Sequence, residues 1–335
     1  MTPDAPIRWG VLGAGAIAAT VGADIAAVPG NELYAVAARD PDRAADFAAR
    51  HGVTRAHRSY DELVADPDVD VVYVATTHAQ HRDQCLLALG AGKPLLVEKA
   101  FTLDAPQARE VVDAARARGL FCMEAMWTRL NPLIRQAVEL VRSGRIGDLV
   151  GVRVDLSKRF EFDPAHRLFD LGAGGGALLD LGIYPVTVAW LFLGRPDVVQ
   201  AVGSLSPTGS DLTDAIQWGY HDGRVAQLYL SAAADSPFAG LVTGTDGSIA
   251  VEPRLHRPQR LVVRDADGVE TIEGEPVPGN GYRDEIAEVA RCLRAGESES
   301  PFVPLDDTVA ILEVLDEIRR QVGVRYPHEI VDEER

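Results

Sequence analysis

The sequence predicts an α/β protein in which an N-terminal doubly wound parallel sheet precedes an α+β domain built on an open, mostly antiparallel sheet. Two observations predict it. Up to about residue 125, short apolar runs alternate with stretches of helical periodicity, the grammar of parallel strands joined by crossover helices. Beyond that point the runs alternate apolar with polar side chains, and turns such as Asp222-Gly223, Asp246-Gly247 and Asp267-Gly268 separate them, as in hairpins with one wet face. At 335 residues the chain exceeds what one hydrophobic core usually serves, so the expected domains are 1–125 and 126–335.

Charge and cysteine usage narrow the class. With 33 basic against 50 acidic residues the net charge is −17, which opposes binding to nucleic acid or to an anionic membrane. A small molecule is the expected partner. Cys85, Cys122 and Cys292 are odd in number and far apart, fitting neither a disulfide framework nor a metal cluster, so reduced thiols in the cytoplasm are expected. The N-terminus lacks a cationic region followed by an apolar core, and no apolar run of ~18 residues stands out, so neither export nor a membrane span is expected.

Ile7 to Leu12 is an apolar run that ends in Gly13-Ala14-Gly15-Ala16-Ile17-Ala18, and helical spacing follows to about Ala27. Strand, glycine turn and helix are the context in which a G-x-G-x-x-A pattern signals dinucleotide binding on a Rossmann-type sheet. Gly13 makes the tight turn, Gly15 admits a pyrophosphate to the amides of Ala16 and Ile17 at the helix start, and the small Ala18 lets helix and strand pack closely. The next strand, Leu33 to Ala38, ends in Arg39, where an acidic side chain would hold the adenosine ribose of NAD. Arg39 suits a 2′-phosphate, so NADP is expected over NAD, while Asp40 caps the helix that starts at Pro41.

After a short strand near Thr54 to His57, Ser59 and Glu62 form a capping box. Val69 to Ala75 is a fully apolar strand ending in Thr76-Thr77-His78-Ala79-Gln80-His81, which opens a helix. His78 and His81, the latter above all, are thereby placed for contact with nicotinamide or substrate, and Thr76 for the cofactor. Two histidines without a third ligand make no zinc site, and no metal is expected. Leu95-Leu96-Val97-Glu98-Lys99 is a buried strand that delivers two charges to its carboxyl end, where ligands bind in open α/β sheets. A helix to Gly119 and a strand from Phe121 to Glu124 complete the first domain.

In the second, Asn131 caps a helix from Pro132, Val150 to Lys158 forms a strand, and a loop over Phe160 to Gly172 leads into Gly174-Gly175-Gly176-Ala177-Leu178-Leu179-Asp180-Leu181-Gly182-Ile183-Tyr184. On a regular helix Gly176, Asp180 and Tyr184 share one face, and the glycines let a cofactor or backbone approach it. Pro185 bends the helix there. A tyrosine relays a hydroxyl proton only if its pKa falls below the usual ~10, a shift that a lysine ammonium supplies; Lys99 is the candidate. Further strands (198–205, 215–221, 226–231 and 261–263) and helices over 282–295 and 306–322 follow, the last expected to pack back on the first domain. Helices can cover one sheet face only, so the other, with Leu228 and Leu230, is expected to form a two-fold subunit contact.

Taken together, Gly13 to Ala18, Glu98-Lys99 and Gly174 to Tyr184 resemble, over essentially the whole chain, the NAD(P)-dependent oxidoreductase family that includes glucose-fructose oxidoreductase, inositol dehydrogenase and rhizopine-catabolism proteins. Within it, Ala37-Ala38-Arg39-Asp40, Glu124-Ala125-Met126-Trp127-Thr128-Arg129 and Asp180 to Tyr184 are most similar to members that oxidise dihydrodiols and D-xylose. The resemblance implies a catalytic pair of Lys99 and Tyr184 with Asp180 beside them, and a 2′-phosphate on Arg39. The expected cofactor contacts are Gly13, Gly15, Ala16, Ile17, Arg39, Thr76, His81, Glu98 and Lys99; Trp127, Arg129, Phe160 and Arg167 are candidates for the substrate wall. The implied activity is hydride transfer to NADP from an aldose such as D-xylose or D-glucose, or from a trans-dihydrodiol, in a homodimer or dimer of dimers. The family's usual Glu-Lys-Pro, with a cis peptide before the proline, is Glu98-Lys99-Ala100 here. The rival is a non-catalytic NADP-binding regulator of the same family, which would have no need of the proton relay.

Overall fold

The computed structural model describes residues 5–252, 254–276 and 279–329. Its first unit, Met1–Trp127 with Val277–Val309, begins with β1 (Ile7–Leu12), α1 (Ala16–Ala27), β2 (Asn31–Ala37), α2 (Pro41–His51), β3 (Arg55–His57), α3 (Tyr60–Ala65), β4 (Val71–Val74), α4 (His78–Gly90), β5 (Leu95–Val97), α5 (Ala105–Arg118) and β6 (Cys122–Glu124). The strands are parallel in the order β3-β2-β1-β4-β5-β6. Strand order therefore reverses between β1 and β4, and the crevice at their carboxyl ends is where such a sheet receives a ligand. All residues of β4 and β5 are buried, which is why they read as unbroken apolar runs. The helix starts follow the predicted caps: Asp40 accepts from the Asp42 amide at 3.0 Å and Ser59 from that of Glu62 at 3.1 Å, while Glu62 reaches back to the Arg58 amide at 2.9 Å.

The second unit, Thr128–Pro276 with Ala310–Arg335, holds α6 (Pro132–Arg142), β7 (Leu149–Ser157), α7 (Ile183–Leu193), β8 (Val198–Leu205), β9 (Asp211–Gly219), β10 (Val225–Ser231), β11 (Gly240–Gly244), β12 (Ser248–Glu252), β13 (Arg260–Asp265) and β14 (Gly268–Glu273). The strand order is β14-β13-β12-β11-β7-β10-β9-β8, antiparallel except for the pair β7 and β10. The three Asp-Gly turns join β9 to β10, β11 to β12 and β13 to β14, as their chemistry demands. Leu171–Leu193 has the length and hydropathy of a membrane span, against the sequence expectation, yet its window is 89% buried inside the protein, as a core helix is.

One expectation about this sheet is corrected. Leu228 and Leu230 are only 2% and 0% exposed, because they face α7; Leu230 lies so close to Gly182 that a Cβ there would meet its Cδ2 at 2.8 Å. The open face instead carries Arg153, Gln227, Gln217 and Gln200 in one cross-strand row, and Tyr229, Ala215 and Val202 in the next. Alternation defines two faces but not which one a helix covers.

The closing helices also divide otherwise than expected. α8 (Arg283–Ala295) lies in the first unit, where the buried carboxylate of Asp24 accepts the amides of Asn280 and Tyr282 at 3.0 Å. α9 (Leu305–Val322) runs on into the second unit: Gln321 accepts from the Ala201 amide at 2.7 Å and donates to the Val199 carbonyl at 2.9 Å along β8. α8 thus lies wholly in the first unit, and α9 shares in it over its first turn, residues 305–309, where Thr308 donates to Glu124 at 3.1 Å.

Candidate active site

In the first unit the glycine turn does two different things. Gly13 has φ +111°, and a Cβ on it would stand 2.6 Å from the Ala75 carbonyl oxygen, so the fold itself requires glycine. Gly15 has ordinary extended backbone, and a Cβ there would meet nothing within 4 Å. Its missing side chain leaves space in front of α1. That helix has no side-chain cap and no acid in its first turn, so the amides of Ala16 and Ile17 are left for an anion. At the end of β4, Thr76 Oγ1 is buried without a hydrogen-bond partner among the described residues. These features fit a dinucleotide whose pyrophosphate sits at α1. At the end of β2, Arg39 is exposed beside Tyr60, whose phenol burial pushes up against the pull of that guanidinium, and Asp40 is spent on the cap.

Around Lys99 the structure adds partners that the sequence did not indicate. The Lys99–Ala100 peptide is cis. His78 sets Nε2 at 3.2 Å from the Lys99 carbonyl, and His81 spans two carbonyls, Ala100 at 3.0 Å from Nδ1 and Thr76 at 3.2 Å from Nε2. His81 is 0% exposed, and burial pushes its pKa down to about 3. Neutral, it carries a single ring N–H, which it donates to one of these carbonyls, at the end of β4 or in the turn after β5. Glu98 is buried and accepts the hydroxyl of Tyr73, whose phenol is pushed far up by burial and by the Glu98 charge. Trp127, a candidate for the substrate wall, is 8% exposed and packs on Tyr282 with ring centroids 4.6 Å apart.

In the second unit the triple glycine serves the backbone. A Cβ on Gly175 would lie 2.7 Å from the carbonyls of Arg167 and Leu168, and one on Gly176, at φ +130°, would lie 2.2 Å from Asp211 Oδ1. Gly176 thus precedes the helix and does not share its face. The Asp211 carboxylate reaches across from β9 to accept the Leu178 amide at 2.5 Å, capping the helix from 33 residues away. Leu178–Gly182 forms a π-helical turn before α7. Pro185 accounts for it: without an N–H, and with a ring that crowds the Leu181 carbonyl, it forces the preceding turn to widen.

Asp180 lies on this turn and Tyr184 in the first turn of α7 after it, 7% and 8% exposed. Arg167 Nη2 lies 3.1 Å from both carboxylate oxygens of Asp180, so the residue expected to face substrate is first of all that acid's counter-ion. Phe160 is half-buried under Lys158, whose ammonium sits 5.2 Å above its ring, and Arg129 is buried. Tyr184 packs against the ring of His256 with centroids 5.2 Å apart. Below the helix start, Asp214 on β9 is 0% exposed beside Asp211. Burial raises both carboxyls, the Leu178 amide works against this for Asp211, and the Asp211 charge raises Asp214 further. From the far side, the hydroxyl of Tyr326 donates to the Gly175 carbonyl at 3.0 Å.

Known proteins share this architecture. The model of an oxidoreductase family with an NAD-binding Rossmann fold matches residues 7–126, and that of the GFO/IDH/MocA C-terminal domain matches residues 134–250. The chain is 37% identical to trans-1,2-dihydrobenzene-1,2-diol dehydrogenase of Mus musculus and 35% identical to that of Homo sapiens, in each case over 96% of this chain and 99% of the relative. Among solved structures it is similar to KijD10, a 3-ketoreductase from Actinomadura kijaniata in complex with NADP and TDP-benzene, with a TM-score of 0.85 and 28% identity over 95% of this chain and 98% of that one.

The buried pair on β9 carries a pH signature. Unfolded carboxyls lose their protons near ~3.9, whereas both of these keep them to higher pH in the folded state. The native protein then holds more protons than the unfolded chain, so the pair's contribution is full below that range and is lost as pH rises through the folded values. Asp214→Asn is expected to flatten the decline of the urea midpoint between mildly acidic and mildly alkaline pH. An unchanged slope in that variant would show that Asp214 is ionised in the native protein.

Proposed function

The chain belongs to the GFO/IDH/MocA oxidoreductase family and is an NAD(P)-dependent dehydrogenase, and on that premise we propose that it oxidises a hydroxyl of a trans-dihydrodiol or an aldose, with NADP as cofactor and Tyr184 as the proton-transfer residue. The observation that carries the proposal is the placement of Tyr184: a phenol 8% exposed on a capped helix, one π turn from an Asp180 that Arg167 neutralises. The dihydrodiol dehydrogenases among its relatives support a diol or sugar as substrate, and the NADP of KijD10 supports the cofactor.

The dinucleotide, when bound, supplies the acceptor for the hydride. This chain's own residues do the rest. Gly13 and Gly15 open the turn, the Ala16 and Ile17 amides hold the pyrophosphate, and Arg39 meets the 2′-phosphate through its planar guanidinium. Thr76 and Glu98 hold the nicotinamide half. The Lys99 ammonium lowers the Tyr184 phenol so that its oxygen takes the substrate proton, and Asp180, held by Arg167, orients the reacting hydroxyl. Arg129 and Phe160 line the substrate. We further propose that two copies meet through the open face of the second unit's sheet, where Val202 and Tyr229 are 72% and 40% exposed.

Tyr184→Phe is expected to lower turnover by a factor on the order of 10² to 10⁴, with NADP binding nearly unchanged, in cofactor-reduction assays over a panel of aldoses and diols. Retained turnover would overturn the assignment. Arg39→Ala should raise KM for NADP far more than KM for NAD, and equal effects would take the 2′-phosphate away from Arg39. For assembly, Tyr229→Glu combined with Val202→Glu is expected to give a monomer by light scattering; a dimer that survives both charges would place the interface elsewhere.

A further inference from the structure

His256 lies on the connection between β12 and β13, and several observations concern how it is held. Its ring faces that of Tyr184 at 5.2 Å and a 42° tilt, and Phe238 meets its other side edge-on at 6.1 Å, both within the range of aromatic pairs. Its carbonyl accepts the hydroxyl of Thr128 at 3.0 Å. The neighbouring Leu255 is 0% exposed, and its amide donates to the Phe238 carbonyl at 2.7 Å. Phe238 and Arg254 have φ of 57° and 65°, the only described residues other than glycine in the left-handed region. For bulky side chains that conformation is uncommon and costs free energy. A connection that only had to join two strands has room to relax out of it. Both left-handed residues are instead tied to the short segment that presents His256.

Resting on the reading of Tyr184 as the proton-transfer residue, we infer that His256 is a positioning residue: its flat ring, held by the Phe238 and Arg254 bend, fixes the Tyr184 phenol in the direction from which it exchanges the substrate's proton. Tyr184 stands in the first turn of α7, directly after the widened π turn and beside Pro185, so the ring of His256 restrains it from outside the helix. A phenol turns about two torsions, and proton transfer fails when the donor and acceptor are misplaced by a fraction of an ångström. The role is one of shape. It needs the planar face of the imidazole, and a phenyl ring meets the need.

The test compares His256→Phe, His256→Leu and His256→Ala in the full-length protein. His256→Ala and His256→Leu are expected to lower kcat on the order of ten- to hundredfold without changing the dissociation constant for NADP, and His256→Phe to restore kcat. Leucine retains volume without a flat face, so it keeps the comparison interpretable should alanine fail to fold. A second readout needs no turnover: with ring-labelled tyrosine and Tyr184→Phe to identify the signal, nuclear magnetic resonance should find the Tyr184 ring flipping slowly in the parent and His256→Phe proteins and fast in His256→Leu. Parental kcat in His256→Leu, or an equal loss in His256→Phe, would overturn the inference. Should Tyr184→Phe itself keep its turnover, the reading of Tyr184 falls instead, while the ring-flip measurement still decides whether His256 restrains the phenol.

Discussion

The carboxylate of Asp211 is the contact on which the Tyr184 segment of the second unit depends. One oxygen receives the Leu178 amide, and the other fills the place a side chain on residue 176 would need. A charged acceptor at a helix start stabilises it by about 1 kcal/mol in exposed examples, and here the same group also fixes where the Gly174 to Gly176 turn ends. Everything downstream inherits that registration: the π turn, Asp180 with its Arg167 partner, and the Tyr184 phenol. Asp214 beneath it and Tyr326 behind it turn a single cap into a buried framework.

The first unit holds its strand ends by a different device. Its polar groups at the strand ends are tied to carbonyls and carboxylates just below the crevice, Tyr73 under Glu98 and His78 and His81 under the Lys99–Ala100 turn. The residues proposed to touch ligand therefore stand on others that do not. Substitution of the lower layer would change the geometry of the upper one without removing any group from the crevice.

What the sequence made legible follows from range. The glycine turn, the Asp40 cap, the Glu98-Lys99 strand end and the Asp-Gly hairpins are each specified by residues within one turn or strand, and all are where the sequence places them. Asp211, His256 and Tyr326 escaped notice because the atoms they hold lie 33, 72 and 151 residues away or more, a distance that only strand register converts into contact. Tyr73 was hidden differently, as one phenol in an apolar strand whose partner lies 25 residues ahead, at the end of the next strand. The misassigned face of β10 and the helical face expected for Gly176 share one cause. Period tells how side chains alternate, not what lies across from them.

The return of residues 277–309 to the first unit bears on how the protein is made. Synthesis is vectorial, and domains emerging first usually fold first. Here the first sheet is fully synthesised by residue 124, yet the amides that satisfy the buried Asp24 carboxylate belong to residues 280 and 282, and the backbone partner of the Cys122 amide is Ser298. A nascent chain that stops short of these positions leaves the Asp24 carboxylate without the amides of residues 280 and 282. Completion of the first unit must wait for residues 280 to 298, so residues 128–276 of the second unit emerge from the ribosome before its predecessor has closed.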